Sequence, residues 1–315
     1  MTTAEQPTTA APRALGDDAA RQLASTTKTV AQMATITPRW LPRLLSWVAV
    51  EGSLYRVNKV VDPDAVNVAH PERNESELPN TFVPYDSNPR EYYLNTVTTL
   101  VDVHTRVTDL YSGQHDQTKE QLRLAIETIR ERQESELINN MEYGLLSHVD
   151  SNQRISTRLG PPTPDDLDEL AKKVWKEPAF FLTHPDAIAA FGRECTRRGV
   201  PPVTVSLFGS QFITWRGLPL VPSNKVPLEN GTTKVLLLRV GENRQGVVGL
   251  YNSGPSGDQA SMGLTVRFTG ITRDGIASYL VSLYYSLAVL VEDALGVLDN
   301  VAVDRYHDYG YKYYE

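Results

Sequence analysis

The residues of this chain that could do chemistry are few, and they form no recognisable catalytic pattern. Four acids lie close enough together to suggest paired carboxylates for acid/base catalysis: Asp165, Asp166, Asp168 and Glu169. They follow Thr163 and Pro164 directly. That order is typical of the first turn of a helix, where Thr caps the end and acids stabilise the dipole. The sequence therefore favours a structural role for this cluster over a catalytic one.

Six histidines are the next candidates, as metal ligands or general bases. They lie far apart, at His70, His104, His115, His148, His184 and His307. None has another histidine or a cysteine at the spacing of a metal-binding motif, so we expect no metal site. Phosphate-binding, zinc-protease, dinucleotide-binding and nucleophile-elbow motifs are also absent. We therefore expect no catalytic residues and no cofactor.

Cys195 is the single cysteine of the chain. One cysteine can form neither a disulfide within the chain nor a cage of thiolate ligands. Its position late in a predicted helix, with no histidine nearby in the sequence, is more typical of a small buried apolar residue than of a nucleophile. A hydrolase of unrecognised fold, using Cys195 or the acidic cluster, remains the most remote interpretation.

The overall composition indicates a mildly acidic protein with enough apolar residues for a large core. The chain has 315 residues, 41 % of them hydrophobic, and a net charge of −7. Its 31 basic residues are outnumbered by 38 acidic ones, which disfavours nucleic acid as the main partner. The N-terminal segment is polar and lacks the pattern of a secretory signal. Together with the lone cysteine, this predicts a cytoplasmic location.

One uncharged segment, Gly275 to Val291, needs comparison with a membrane span. It is shorter than the roughly 20 residues that a spanning helix requires. Its β-branched residues and tyrosines favour a strand. We therefore expect a buried strand and no membrane crossing.

A single helical pattern runs from Thr118 to Val149. Its apolar residues form one narrow stripe at Leu122, Ile126, Ile129, Leu137, Met141 and Leu145, and charged residues cover most of the remaining surface. At about 1.5 Å per residue, such a helix spans roughly 45 Å. The pattern predicts a helix that crosses a whole domain and an elongated subunit.

Residues 37–50 (TPRWLPRLLSWVAV) are too apolar for a solvated linker. Two interpretations remain open. The segment could fold back onto the core of its own chain, or it could pack on a neighbouring subunit in an assembly. On the second interpretation, the candidate contacts between subunits are Trp40, Leu44, Leu45 and Trp47.

Two strand patterns flank a long polar connection. Residues 51–61 and 97–110 both resemble strands, and in the second the valines Val97, Val101, Val103 and Val107 alternate with mostly polar residues. The connection, residues 62–89, is longer than loops in compact domains usually are. This predicts a two-stranded arm that projects from the body and lies across another surface. Val101 and Val103 are therefore further candidates for contacts between subunits.

The second half of the chain predicts a mixed α/β region. A helix should start at Thr163, a strand should cover residues 179–182, and a second helix should run to Arg198 and stop at Gly199. Strand patterns then occur at 203–208, 211–215, 234–240, 246–251 and 264–269, with two more between 278 and 303.

The segment WRGLPLVPSNKVP, Trp215 to Pro227, is preceded by a helix, a THPDAI turn and a second helix. This arrangement is similar to the apical domain of tailed-phage major capsid proteins of the Hong Kong 97 type, and the order of the other parts agrees from about residue 17 to 303. The resemblance implies an α+β fold with an N-terminal arm, an extended β-hairpin loop, a peripheral domain with a long spine helix, and a mixed α/β apical domain. The implied ranges are 1–50 for the arm, 51–113 for the extended loop, 114–155 and 264–305 for the peripheral domain with its spine helix at 118–148, 156–263 for the apical domain, and 306–315 for a C-terminal tail.

Within that fold, RLAIETIRERQESELINNMEYGLL, Arg123 to Leu146, resembles the family 2 encapsulins, specifically the A-type shells without an inserted cyclic-nucleotide-binding domain. The resemblance implies a cytoplasmic nanocompartment, an icosahedral homo-oligomer of about 60 subunits. It also implies a cargo enzyme, typically a cysteine desulfurase, and a role in sulfur metabolism or storage. The main alternative is a major capsid protein of a phage or prophage, which shares the architecture. The acidic composition disfavours genome packaging.

Overall fold

The computed structural model describes residues 36–58, 60–61, 82–104, 117–252 and 259–306. Residues 1–35 of the expected N-terminal arm and residues 307–315 of the expected tail lie outside these ranges. Val107, His70, His115 and His307 do so as well.

The described part of the chain contains few helices and many strands, as the α+β prediction requires. The helices are α1 (Trp40–Leu44), α2 (Gln117–Asn139), α3 (Pro164–Lys173) and α4 (Pro185–Arg197). The strands of the first half are β1 (Ser46–Ala49), β2 (Leu54–Val57), β3 (Arg90–Tyr93), β4 (Asn95–His104), β5 (Arg154–Ser156), β6 (Phe180–Thr183) and β7 (Val203–Leu207). Those of the second half are β8 (Ser210–Trp215), β9 (Leu218–Pro222), β10 (Thr232–Leu238), β11 (Val247–Tyr251), β12 (Gln259–Ser261), β13 (Leu264–Ile271), β14 (Ile276–Val289) and β15 (Leu295–Ala302).

A six-stranded sheet is built around β14. Strand β4 pairs with β14 along ten residues, while β13 and β11 also pair with it in antiparallel orientation. Strand β1 extends the sheet by pairing with β11 in parallel. The uncharged segment is therefore a buried strand, as predicted. No helix in the described ranges is long and apolar enough to cross a membrane.

A seven-stranded sheet has the order β5-β15-β10-β6-β9-β8-β7. Helices α3 and α4 pack on it through an apolar cluster that includes Leu170, Phe191 and Cys195. The start of α3 is as predicted, because Thr163 and Asp166 form a capping box and Pro164 occupies the first turn. Helix α4 ends before Gly199, whose φ of 70° suits the left-handed conformation of a helix stop.

The long helix is shorter than its periodicity predicted. Helix α2 ends at Asn139, and the following residues form a turn. The amides of Leu145 and Leu146 then donate to the carbonyls of Leu137 and Ile138, so the chain folds back onto the end of the helix. Met141, placed on the apolar stripe by its spacing, is 86 % exposed. The prediction of a helix to residue 149 was therefore wrong beyond Asn139.

The predicted arm is paired differently from the expectation. Strand β2 pairs with β3, at residues 90–93, and not with the pattern at 97–110. That pattern forms β4, which belongs to the six-stranded sheet. The odd-numbered residues of β4 face the core, and Val103 is 1 % exposed. The alternation therefore predicted the buried face correctly, but the partner strand is β14 and not β2.

Each of the two large sheets takes strands from both sides of the expected division of the chain. Strand β15 lies within 264–305, assigned to the peripheral domain, but it pairs with β10 and β5 in the seven-stranded sheet. Strand β11 lies within 156–263, assigned to the apical domain, but it pairs with β14 in the six-stranded sheet. The two regions therefore exchange strands.

Candidate functional site around the long helix

Carboxylates on α2 hold the segment that precedes α1. The amide of Thr37 donates to Glu131 Oε1 at 2.9 Å, and Arg39 pairs with both Glu127 and Glu131. Lys225, in the turn after β9, contacts Glu131 Oε2 at 2.8 Å. Burial opposes ionisation of Glu131, but hydrogen bonds from Lys225 and Thr37 outweigh it and lower its pKa. One carboxylate thus joins the N-terminal segment, the long helix and the seven-stranded sheet.

Glu134, one turn further along α2, is almost completely buried, at 1 % exposure. It accepts a hydrogen bond of 3.2 Å from the amide of Leu41 in α1. Burial raises its pKa, and this hydrogen bond only partly opposes the shift. Glu134 therefore fixes α1 on α2 at the expense of desolvating a carboxyl group.

A third carboxylate, Glu136, joins α2 to β14. Its Oε2 accepts hydrogen bonds from the hydroxyls of Tyr143 and Tyr285, at 2.6 and 2.8 Å, and Arg132 donates to its Oε1 at 2.6 Å. Burial opposes ionisation, but these donors outweigh it and lower the pKa of Glu136. Burial and the bond to Glu136 raise the pKa of Tyr143 to about 12. Both tyrosines are thus held as neutral donors to a charged acceptor.

The apolar segment 37–50 folds onto its own chain. Trp40 and Leu45 are buried in the core beside α2, at 6 and 5 % exposure. Val103 in β4 is also buried, at 1 % exposure. This leaves these three predicted contacts little surface for a neighbouring subunit. The other three candidates, Leu44, Trp47 and Val101, are half-buried against the same core. Trp40 and Leu45 therefore pack on the core of their own chain, as the first of the two interpretations of this segment states.

Trp47 is fitted against a glycine. A methyl group added at Gly249 of β11 would lie 2.6 Å from Cε3 of the Trp47 ring. The indole nitrogen of Trp47 also donates to the carbonyl of Pro42 at 2.8 Å. The absence of a side chain at Gly249 thus leaves room for the Trp47 ring where β1 pairs with β11.

The acidic cluster at 165–169 has the structural role that the sequence favoured. Asp166 completes the capping box of α3. Asp168 accepts hydrogen bonds from Trp215 Nε1 at 2.7 Å and from Arg216, and the bond from Arg216 lowers its pKa. Asp165 lies 3.5 Å from Arg198. These carboxylates are paired with donors, and this arrangement supports packing and not proton transfer.

Cys195, His148 and His184 form no reactive centre. Cys195 is fully buried, and burial raises the pKa of its thiol to about 11. His184 caps α4 by accepting from the amide of Asp186, and burial lowers the pKa of His148, whose ring packs near Tyr92. Among the residues that the structure describes, no group of three His, Cys, Asp or Glu side chains is placed to hold a metal ion.

A cleft lies where β2 and β3 meet the end of β14. Its volume is about 580 Å³. It is lined by Val57, Asn58, Val60, Asp86, Asn88, Arg90, Gln245, Leu290, Val291 and Glu292. Arg90 and Glu292 approach each other to 3.6 Å on its wall. This lining contains no nucleophile paired with a base.

The family is decided by comparison with known proteins. The profile of the SrpI-like type 2A encapsulin shell proteins matches residues 54–305. The chain belongs to this family. A relative from Synechococcus elongatus, the type 2A encapsulin shell protein SrpI, is 70 % identical over 298 residues, which cover 95 % of this chain and 97 % of that protein. The prediction of an A-type family 2 encapsulin is confirmed.

Solved structures agree with this assignment. The holo-SrpI encapsulin complex from the same cyanobacterium matches with a TM-score of 0.81 and 65 % identity, covering 94 % of this chain and 99 % of that chain. The capsid of an empty GTA particle matches with a TM-score of 0.60 at 13 % identity, covering 88 and 93 % of the two chains, which shows a shared fold alone. Type 2A encapsulin shell proteins form nanocompartments from many subunits. Their role is structural and not enzymatic.

Sequence reasoning missed the residues that tie this encapsulin subunit together. Glu134 and Glu136 were counted among the charged residues on the surface of the helix, yet Glu134 is buried and Glu136 binds two tyrosines. Glu134 lies three residues before Leu137 and four before Ile138, on the same face of the helix, so its spacing could have indicated its burial. Lys225, within the segment that carries the capsid resemblance, was not connected with the helix at all.

Proposed function

We propose that the chain assembles in the cytoplasm into a closed icosahedral shell of about 60 copies, which encloses a cysteine desulfurase as its cargo. The observation that carries the proposal is the 70 % identity to a type 2A encapsulin shell protein over 95 % of the chain. A subunit that shares so much of its sequence is expected to keep the surfaces through which copies associate.

We assign the residue ranges to the parts of the capsid-like fold. Residues 1–50 serve as the N-terminal arm, 51–113 as the extended loop, and 114–155 with 264–305 as the peripheral domain, whose six-stranded sheet also includes β1, β4 and β11. Residues 156–263 serve as the apical domain and 306–315 as the tail. Thr37 and Arg39 contact α2, which supports attachment of the C-terminal part of the arm to the peripheral domain.

The cargo assignment rests on the resemblance to A-type family 2 encapsulins, in which a cysteine desulfurase is typical. The related holo-SrpI encapsulin complex supports a loaded state in this family. The proposed role is therefore to hold an enzyme of sulfur metabolism. The excess of acidic residues, 38 against 31 basic, opposes packaging of nucleic acid.

The test has two arms. The chain is first expressed alone and examined by negative-stain electron microscopy and light scattering. Uniform hollow particles are expected, and a discrete monomer or dimer would contradict the shell. The chain is then co-expressed with a cysteine desulfurase from the same genome, and the particle fraction is assayed for alanine formed from L-cysteine. Activity should co-purify with particles, whereas the desulfurase expressed without the shell should not appear in that fraction.

A third measurement separates the capsid alternative. Purified particles are extracted and stained for nucleic acid before and after nuclease treatment. Encapsulin shells should contain protein cargo and no protected nucleic acid. Protected DNA of uniform length, with no co-purifying enzyme, would favour a phage capsid.

A further inference from the structure

The hairpin formed by β7 and β8 turns through two residues with unusual geometry. Phe208 and Gly209 both have positive φ, 52° and 77°, and they connect Leu207 directly to its partner Ser210. This is a two-residue type I′ turn, in which Asn, Asp or Gly is preferred at the first position. A bulky aromatic residue in the left-handed region is strained. Phe208 therefore occupies a position that Asn would occupy at lower energy.

Burial within the subunit does not compensate for this strain. Phe208 is 64 % exposed, although its ring stacks at 6.1 Å on that of Trp40. Val203, at the other end of β7, is 72 % exposed, and Val200 just before it is 44 % exposed. Apolar side chains thus stand in solvent at both ends of one short strand.

The outer edge of β7 is open. Strand β8 is the sole strand that pairs with β7 in the described part of the chain. Because Leu207 and Ser210 flank a two-residue turn, their pair and the pair of Val205 with Phe212 exchange hydrogen bonds within the hairpin. The amides and carbonyls of Thr204 and Ser206 point the other way. They form a row of backbone groups that another strand can join.

This edge carries no charge that would oppose pairing. Free edge strands commonly carry Lys or another charge that prevents association. Residues 200–215 (VPPVTVSLFGSQFITW) contain no charged side chain. The chain as a whole has a net charge of −7, so an uncharged stretch is a place where copies can approach with little repulsion.

We infer that the open edge of β7, together with Phe208, is a contact surface for a second copy of this chain in the shell. A strand of the neighbouring subunit pairs along Thr204 and Ser206, and the neighbour covers Val203 and Phe208. This inference rests on the proposed function, because it requires that the chain forms a shell. Contact with the neighbour supplies the burial that makes the strained Phe208 tolerable.

Hydrogen exchange of the wild-type shell tests the pairing without any mutation. In a subunit with an open edge, the amide of Val205 is bonded to β8 and exchanges slowly, while those of Thr204 and Ser206 exchange fast. Pairing with a neighbour makes all three slow. We therefore expect Thr204 and Ser206 to exchange about 100-fold more slowly in the shell than free amides do. An alternation of fast, slow and fast across the three residues in intact shells would overturn the inference.

A variant tests the contribution of Phe208. Phe208→Asn supplies the residue that the turn prefers and should leave the subunit folded. We expect about tenfold or more free subunit at a fixed total concentration, measured by size-exclusion chromatography with light scattering. The matched control is Gln245→Asn, which also places Asn at an exposed site with φ of 52° and should leave the shell unchanged. Equal stability of the Phe208→Asn and wild-type shells would overturn the role of Phe208.

The two proposals fail in different ways. If the wild-type chain forms no particles, the shell itself is wrong. If it forms particles whose Thr204 and Ser206 amides exchange fast, the shell stands and this contact surface is wrong.

Discussion

Glu136 and Tyr285 are 149 residues apart in the sequence, and the hydroxyl of Tyr285 donates a hydrogen bond of 2.8 Å to Oε2 of Glu136. The bond connects α2 with the central strand of the six-stranded sheet. Tyr143 donates to the same oxygen, so the carboxylate also holds the turn that follows the helix.

Tyr285→Phe should lower the free energy of unfolding by about 1.5–3 kcal/mol, because it removes a buried hydrogen bond to a charged acceptor. Guanidinium unfolding followed by tryptophan fluorescence measures the effect. Tyr93→Phe is the control, since Tyr93 is 63 % exposed and donates to Glu91 at the surface. It should change stability by less than about 0.5 kcal/mol. Equal effects of the two substitutions would show that the buried bond adds nothing.

Glu131→Gln and Glu134→Gln should change stability in opposite directions. The pKa of Glu131 is lowered in the fold, so its contribution is present above the unfolded pKa of about 4.3 and is lost as pH falls through its folded pKa. The pKa of Glu134 is raised, so the folded state binds its proton more readily and loses stability as pH rises from about 4.3 through the raised pKa. At pH 8, Glu131→Gln should therefore destabilise. Glu134→Gln can keep the bond to the Leu41 amide and should stabilise.

Thermal unfolding of both variants at pH 5 and pH 8 measures this difference. The stabilisation by Glu134→Gln should be larger at pH 8 than at pH 5. A loss of stability at pH 8 would mean that the charge on Glu134 is satisfied in the fold.

Gly249→Ala should destabilise by about 1–3 kcal/mol, because the added methyl group meets the Trp47 ring and the backbone at this pairing has little freedom to move. A change in tryptophan fluorescence should accompany the loss. Gly192→Ala in α4 is the matched control, since nothing lies within 4 Å of the added methyl group there. It should stabilise by up to about 1 kcal/mol, as Ala does relative to Gly in a helix. Destabilisation by both would point to a general intolerance of the change.

Cys195 should be inert in the native protein, because it is fully buried and burial raises the pKa of its thiol to about 11. An aromatic disulfide reagent at pH 8 should modify no thiol in native shells and one thiol per chain after unfolding in guanidinium. Cys195→Ser should still form shells, although the hydroxyl in an apolar site costs about 1–3 kcal/mol. Rapid modification of the native protein would revive the remote interpretation of Cys195 as a nucleophile.

The sequence was sufficient for elements whose signals are local. The start of α3 was predicted from Thr163 and Pro164, since a cap is determined by neighbouring residues. The alternation of Val97 to Val103 predicted the buried face of β4. It did not predict the partner, because period-two spacing is the same whichever strand lies alongside. The pairing with β14 depends on residues about 180 positions away, and nothing in either segment encodes it.

The end of the long helix and the packing of the apolar segment show further limits of the sequence, each with a specific cause. The long helix was predicted to continue past Asn139 because Leu145 is apolar and fits the helical spacing. The chain in fact turns at 140–144, and Leu145 is buried because the chain folds back onto the helix. For the apolar residues around Trp40, both interpretations stayed open at the level of sequence, because composition does not distinguish the core of the same subunit from that of a neighbour. The candidate contact at β7 was missed because an open edge is a property of the assembled sheet.

The central position of β14 has a consequence for the order of folding. Its neighbours β4, β11 and β13 have no common sheet until residues 276–289 are made, and β1 waits for a partner that lies about 200 residues further along. Synthesis proceeds from the N-terminus, and distant pairings form slowly because long loops must close first. The seven-stranded sheet likewise needs β15, near the end of the chain. Nearly the whole polypeptide must therefore be synthesised before either large sheet can be completed. We therefore expect association during translation to be delayed, and new subunits to join a shell after they have folded.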